Sequence, residues 1–251
     1  MKLLLIRHGD PDYEKDSLTE RGRQEALFLA ERIARLVVDQ CFVSPCGRAK
    51  ETAKPTLERL NMTAQEYDWL REFDVRRILR PDCPDKRSIP WDWLPQDWLA
   101  EEVFFDKDRW ASQEVMAEAG VGEYYDAVTR QFDELMASFG YQRENKYYHV
   151  EESNQKTLVF FCHLGVQCVI LSHLMNVSPM PLWHGISMPP SSVTTLVTEE
   201  RRKGTAVFRA LSIGDISHLY AHDMSLLPSH DLPFPSAHFC ECFDLKEERH
   251  G

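Results

Sequence analysis

The sequence predicts an α/β fold built on a mostly parallel, doubly wound sheet, and three observations carry that expectation. The runs Leu3-Leu4-Leu5-Ile6, Cys41-Phe42-Val43 and Thr157-Leu158-Val159-Phe160-Phe161-Cys162 lack polar alternation, the mark of strands buried on both faces. Between them lie stretches whose apolar residues recur at helical spacing. Each run also breaks off abruptly, at Arg7-His8-Gly9, at Ser44-Pro45-Cys46-Gly47-Arg48 and at His163. In open α/β sheets ligands gather outside the carboxyl ends of the strands, so the three breaks are predicted to share one edge.

After the first strand, residues 10–17 read as a polar loop. Thr19 is the expected N-cap of a helix in which Ala26, Leu27, Ala30, Ile33, Ala34 and Val37 keep helical spacing. A second helix is expected over residues 45–60, capped by Ser44, with Pro45 in the tolerated first position. Residues 63–67 are weakly strand-like. From 76 to 155 the alternation of strand and helix fails. This segment holds four of the six tryptophans, Trp91, Trp93, Trp98 and Trp110, with helical patterns around 96–105 and 122–139. It reads as an insertion capping the crevice, because a doubly wound core does not need it for sheet continuity; a packing or dimer-forming subdomain is the alternative. A helix over 165–175 follows the third strand, and its first N–H groups favour an anion in the crevice. Residues 192–197 and 206–213 look like strands joined by a charged hairpin at 199–204. Residues 221–251, rich in Pro and His, have no clear period and read as a C-terminal extension over the surface or against another subunit. No repeat or long linker divides the chain, so residues 1–251 are read as a single domain.

The 251 residues are 43% apolar and 27% charged, as in ordinary soluble proteins. A net charge of −11 argues against nucleic acid or an anionic membrane surface as a general partner. No apolar run approaches the roughly 20 residues of a membrane span, and the first is too short for a secretory signal. Seven cysteines, an odd number in mostly apolar settings, suggest reduced thiols in a cytoplasm rather than a disulfide framework. Cys240-Glu241-Cys242 beside His238 lacks the spacing of a zinc module.

Arginine presents a planar fork of donors matched to phosphate oxygens and stays charged at any working pH. Arg7, Arg48, His8, His163 and a helix N-terminus around one point would form a pocket for a dianionic phosphoryl group. Such a positive pocket disfavours protonation of an imidazole, keeping one histidine neutral and nucleophilic near pH 7. That pattern describes covalent phosphoryl transfer without a metal.

Leu5-Ile6-Arg7-His8-Gly9, then Leu18-Thr19-Glu20-Arg21-Gly22-Arg23-Gln24-Glu25-Ala26, then Ser44-Pro45 with Arg48-Ala49 and Thr52-Ala53, then His163, resemble the histidine phosphatase (phosphoglycerate mutase-like) superfamily. Gly214-Asp215 with His218-Leu219 is similar to a further motif near the end of many members. The resemblance covers residues 1–75 and 156–220. It implies a three-layer α/β/α core, to which the insertion read above would add a helical cap at the active-site edge. It also implies that His8 is the nucleophile forming a phosphohistidine, and that Arg7, Arg48 and His163 clamp the phosphoryl oxygens. The branch this chain resembles places its proton donor in a Glu-x-Asp setting, which matches Glu72-Phe73-Asp74, so Glu72 is the expected acid and Asp74 its substitute. Asp10 is expected to shape the loop after Gly9.

The loop Asp10-Pro11-Asp12-Tyr13-Glu14-Lys15-Asp16 departs from the mutase pattern: it lacks that pattern's asparagine and adds acidic residues. Hydrolysis is therefore expected over return of the phosphoryl group to substrate. The expected activity is that of a phosphatase acting on a small phosphomonoester, with no cofactor. The alternatives are a phosphoglycerate mutase-type phosphotransferase and a non-catalytic member that binds an anion or a partner. Arg76, Arg77 and Arg80 are candidates for binding a second negative group on the substrate, or form a charged helix face. The aromatic residues of the insertion could stack on a ring, although core packing explains them as well. The apolar hairpin strand and the proline-rich tail are compatible with a homodimer.

Overall fold

The computed structural model describes residues 1–75 and 77–224. The chain opens with β1 (Lys2–Arg7), buried from Leu3 onward as a strand covered on both faces must be. A small ribbon of β2 (Pro11–Asp12) and β3 (Ser17–Leu18) shapes the next loop. Helix α1 (Glu20–Ile33) starts at the expected cap, the Thr19 hydroxyl accepting from the Gly22 N–H. It buries Ala26, Leu29, Ala30 and Ile33, while Leu27 points to solvent and Val37 lies exposed beyond the helix end. After β4 (Gln40–Val43), helix α2 (Gly47–Leu60) begins later than expected, with Cys46 at the N-cap and no side-chain cap bond. Ser44 does not cap it, because its hydroxyl is bonded to His163. Strand β5 (Ala64–Glu66) follows.

The segment from 76 to 155 divides in two. Its first part holds a hairpin of β6 (Ile78–Arg80) and β7 (Cys83–Ser88), and the short helices α3 (Pro95–Trp98) and α4 (Glu114–Glu118). The expected helix over 96–105 is instead α3 and a separate 3₁₀ turn, Glu102–Phe105. The second part is the long helix α5 (Val121–Ser138) with β8 (Tyr141–Glu144) and β9 (Tyr147–Val150). The chain then returns to the core with β10 (Thr157–Cys162), α6 (Leu164–Met175), α7 (Pro179–Gly185), the long hairpin of β11 (Val193–Arg202) and β12 (Thr205–Asp215), and α8 (Ser217–Tyr220). Of the sites expected from sequence, Arg76 and the group His238, Cys240 and Cys242 lie outside the described residues, as does most of the C-terminal extension.

One eight-stranded sheet has the order β5-β4-β10-β1-β11-β12-β9-β8. Strands β5, β4, β10 and β1 are mutually parallel, and each later neighbour is antiparallel to the one before. Six of the eight strands therefore point one way. Because β9 pairs with β12 through Thr205–His149 and Ala206–Tyr148, the sheet does draw on the 76–155 segment, contrary to the sequence expectation.

Alternation along the central strands builds three layers. Leu3, Leu5, Leu158 and Phe160 face a core shared with α5, α6 and the aromatic residues of the insertion. Leu4, Ile6, Val159 and Phe161 face a second core with Leu29, Ile33, Ala49 and Ala53 of α1 and α2. Helix α6 is apolar nearly all round and buried, as a helix enclosed on every side must be. None of the described helices is long and apolar enough to cross a membrane.

Phe160 is fully buried and stacks on Phe42 at a centroid distance of 4.8 Å. Phe160→Ala is expected to cost about 3–5 kcal/mol, read as a lower urea midpoint with an unchanged denaturant slope; a shift within error would show that the layer relaxes around the gap.

Candidate active site

Strand register assembles the site. Arg7 pairs with Cys162 across the parallel β1–β10 ladder, and Phe161 pairs with Val43 across β10–β4. His8 and His163 thus leave adjacent strands at the same level, with Ser44 one strand further on. Their imidazole centroids lie 5.2 Å apart. His8 and His163 are almost wholly buried, as is Arg7.

His8 Nδ1 lies 2.8 Å from the Gly9 carbonyl oxygen. A carbonyl only accepts, so Nδ1 carries the ring proton and Nε2 keeps its lone pair. Burial first, then the charges of Arg7 and Arg48, hold the His8 pKa well below the ordinary value, against the pull of the Gly9 bond. The result is a neutral imidazole with one defined nucleophilic nitrogen.

Arg7 Nη1 donates to the Met188 carbonyl at 2.5 Å, which pins the guanidinium against the loop entering β11. Arg48 stands on the first turn of α2 and pairs with Asp16. Thr52, one turn on, accepts from the Gly9 N–H at 2.9 Å and donates to the Arg48 carbonyl at 2.7 Å, joining the loop after His8 to that helix. His163 occupies the N-cap of α6. Its Nε2 is 2.8 Å from Ser44 Oγ, which already accepts from the Cys46 N–H. When the Ser44 hydroxyl donates to Nε2, the His163 proton is on Nδ1, a buried atom with no partner among the described residues. Burial, then His8 and the two arginines, hold His163 well below its usual pKa.

Glu72 is half-buried, its Oε1 accepting from the Phe73 N–H at 2.8 Å and the Val166 N–H at 3.2 Å, at the start of α6. Burial pushes its carboxyl pKa up, against the backbone donors and the charges of Arg7 and Arg48. Glycine is required at 165: a Cβ there would lie 2.3 Å from Trp91 Cη2 and 2.6 Å from Glu72 Oε1. The turn after His163 therefore carries the carboxyl and an indole edge together. Asp74 is exposed. Asp10 holds the loop, its carboxylate accepting from the Thr19 hydroxyl at 2.6 Å and its N–H donating to buried Glu25 at 2.9 Å.

Two of the three arginines considered for a second anion are engaged elsewhere. Arg80 is buried on β6 and paired with Asp82 at 2.6 Å and Asp92 at 3.4 Å, and Arg77 is exposed with its guanidinium over the Tyr124 ring. They sit on a hairpin and its approach rather than on a helix face.

Sequence reasoning missed the roles of Ser44, Thr52, Trp91 and Ser191. Ser44 was findable, since it follows a parallel strand at the level of the two histidines. The late motif also has a use that spacing does not reveal. Asp215 pairs with Arg32 at 2.6 Å, His218 Nε2 lies 3.1 Å from Ser191 Oγ, and the Ser191 N–H donates to the His8 carbonyl at 2.9 Å. Among the described residues no group of three or more His, Cys, Asp or Glu side chains could hold a metal ion.

The sequence pattern of the histidine phosphatase superfamily (branch 1) matches residues 3–210. A probable phosphatase of Schizosaccharomyces pombe is 25% identical over 243 residues, covering 90% of this chain and 99% of the relative. Among solved structures, a phosphoserine phosphatase mutant from Entamoeba histolytica in complex with phosphoserine matches with a TM-score of 0.54 and 19% identity, over 87% of this chain and 98% of the other. A mycobacterial glucosyl-3-phosphoglycerate phosphatase complexed with VO3 matches with a TM-score of 0.53 and 19% identity, over 84% and 97%. At such identities the structural likeness shows a shared fold.

Burial holds His8, His163, His184 and His218 below the usual histidine pKa. As pH falls below the unfolded value the unfolded chain takes up protons that the native state refuses, so stability is lost toward acid. Glu25 and Glu72, pushed up by burial, work the other way. For His218, lowered from 6.5 to about 4, the window lies between those values. His218→Gln is expected to flatten the fall in melting temperature across it; an unchanged slope would mean that His218 protonates freely in the folded protein.

Proposed function

The chain belongs to the histidine phosphatase superfamily, and from that premise we propose that it is a metal-independent phosphomonoester hydrolase working through a phosphohistidine on Nε2 of His8. The observation that carries the reading is the Nδ1 contact of His8 with the Gly9 carbonyl, which leaves Nε2 with its lone pair on an imidazole that feels the charges of Arg7 and Arg48. The substrate's phosphoryl oxygens would be held by Arg7, Arg48 and the Nδ1–H of His163. The two guanidinium cations supply the charge neutralisation that phosphoryl transfer demands, and the neutral His163 adds a hydrogen-bond donor.

Nε2 attacks phosphorus and the P–O bond to the alcohol breaks. Glu72, whose carboxyl pKa is pushed up by burial, gives its proton to the departing oxygen. As carboxylate it then takes a proton from water, which attacks the phosphohistidine and releases inorganic phosphate. A base with a lowered pKa beside an acid with a raised one lets both be in their working forms at a single pH. Trp91 borders the leaving-group side, so the insertion contributes to the choice of alcohol. A small phosphorylated metabolite is the substrate class, and a cytoplasmic setting agrees with the free thiols of Cys41, Cys46, Cys83, Cys162 and Cys168.

The test is phosphate release from an aryl phosphate in excess chelator. Turnover should survive chelation, vanish in His8→Ala, and leave an acid-labile phosphoprotein on rapid quenching of the unaltered enzyme. Arg48→Ala should lower kcat by roughly 10²–10³. Near-normal activity in either variant would refute the assignment. Glu72→Gln should harm alkyl phosphates more than aryl phosphates, because a good leaving group needs little protonation; equal losses would move the acid elsewhere. In the pH profile of kcat/KM, the loss toward acid should set in well below 6.5, since that limb reports His8.

A further inference from the structure

The loop between β2 and β3 lies directly on the start of α2. Asp16, in the left-handed region at φ 48°, sends one carboxylate oxygen to the Gly47 N–H at 2.6 Å and the other to Arg48 Nη1 at 2.5 Å. Aspartate tolerates this backbone better than most residues. No side chain fits opposite it: a Cβ on Gly47 would come within 2.1 Å of the Asp16 carbonyl oxygen. Tyr13 of the same loop stands edge-on to His8 at 6.5 Å, with the Arg48 guanidinium 5.6 Å from its ring centroid.

The contact divides the guanidinium. Nη1 is taken by the carboxylate, while Nε is buried with no partner among the described residues. A long arginine side chain loses considerable rotamer freedom when it is fixed for catalysis, and a bond made before substrate arrives removes that cost from the reaction.

We propose that Asp16 is a positioning residue that holds Arg48 by Nη1, leaving the rest of the guanidinium edge oriented toward the phosphoryl group. This rests on the hydrolase reading above. The Gly47 bond fixes the carboxylate, the carboxylate fixes the arginine, and the close fit at Gly47 fixes the loop that carries both Asp16 and Tyr13. Asp16 touches no reacting atom and acts only through Arg48.

A double-mutant cycle with an aryl phosphate tests it. In the unaltered background Asp16→Ala should lower kcat at least tenfold, because a misplaced transition-state donor loses rate steeply, while KM changes by less than threefold. In the Arg48→Ala background the same change should alter kcat by less than twofold. An undiminished loss there would show that Asp16 does not act through Arg48 and would overturn the proposal. So would a fall in KM with a rise in kcat/KM, which would make the carboxylate a competitor of the phosphoryl group. Asp16→Asn keeps the size and one acceptor oxygen, and should fall between the parent and Asp16→Ala. If Asp16→Ala fails to fold, the cycle run with Asp16→Asn decides by the same criterion. Vanadate binding to the unaltered enzyme separates the two levels: no binding and no turnover refute the hydrolase reading and the proposal together, whereas binding and turnover without coupling refute the proposal alone.

Discussion

The parallel register of β4, β10 and β1 is the constraint on which the site depends. Side chains from three distant parts of the chain converge because their strands end at one level, and the ladder sets that level with no loop to adjust it. A slip of one residue in β10 would turn Leu158 and Phe160 out of the larger core and carry His163 away from His8 and Ser44 at once. Stability and site geometry are therefore specified by the same apolar residues.

Burial then sets the chemistry. An imidazole in water near neutral pH is a mixture of charged and neutral forms and of two tautomers. Here burial and the arginines remove the charged form, and the Gly9 carbonyl selects the tautomer. The same burial acts on Glu72 with opposite consequence, since exclusion of water favours whichever form is neutral. One environment thus lowers the pKa of an imidazole and raises that of a carboxyl. The backbone N–H groups at Phe73 and Val166 restrain how far the carboxyl pKa rises.

Much of this was legible in the sequence because the central strands are buried on both faces and leave continuous apolar runs, and because Arg7, His8, Arg48 and His163 follow directly on strands or their turns. The misreadings have physical causes. The cap assigned to Ser44 obeyed local propensity, but the hydroxyl met a partner 119 residues away in sequence. β8 and β9 carry polar residues such as Gln142, Arg143, Glu144 and His149 on an outer sheet edge, so no buried-strand pattern marks them. The arginines after Glu72 looked available because the carboxylates that take Arg80, at Asp82 and Asp92, are brought to it by the folding of the hairpin. Gly165 is an ordinary helix-start residue until Trp91 from the insertion is laid against it. Contacts between distant segments are what a one-dimensional pattern does not contain.

The placement of β1 bears on how such a chain can be made. Strand β1 has as its two neighbours β10 and β11, with Lys2 paired to Thr157 and to Val197. The Leu3 to Ile6 run is therefore made long before either neighbour, and exposed apolar runs of this kind are prone to aggregation until their partners arrive. The backbone of His8 waits longer still, because Ser191 and the His218 that steadies it come near the end of the described chain. The surroundings of His8 are thus completed only when β10, β11 and α8 have been made, however early His8 itself appears.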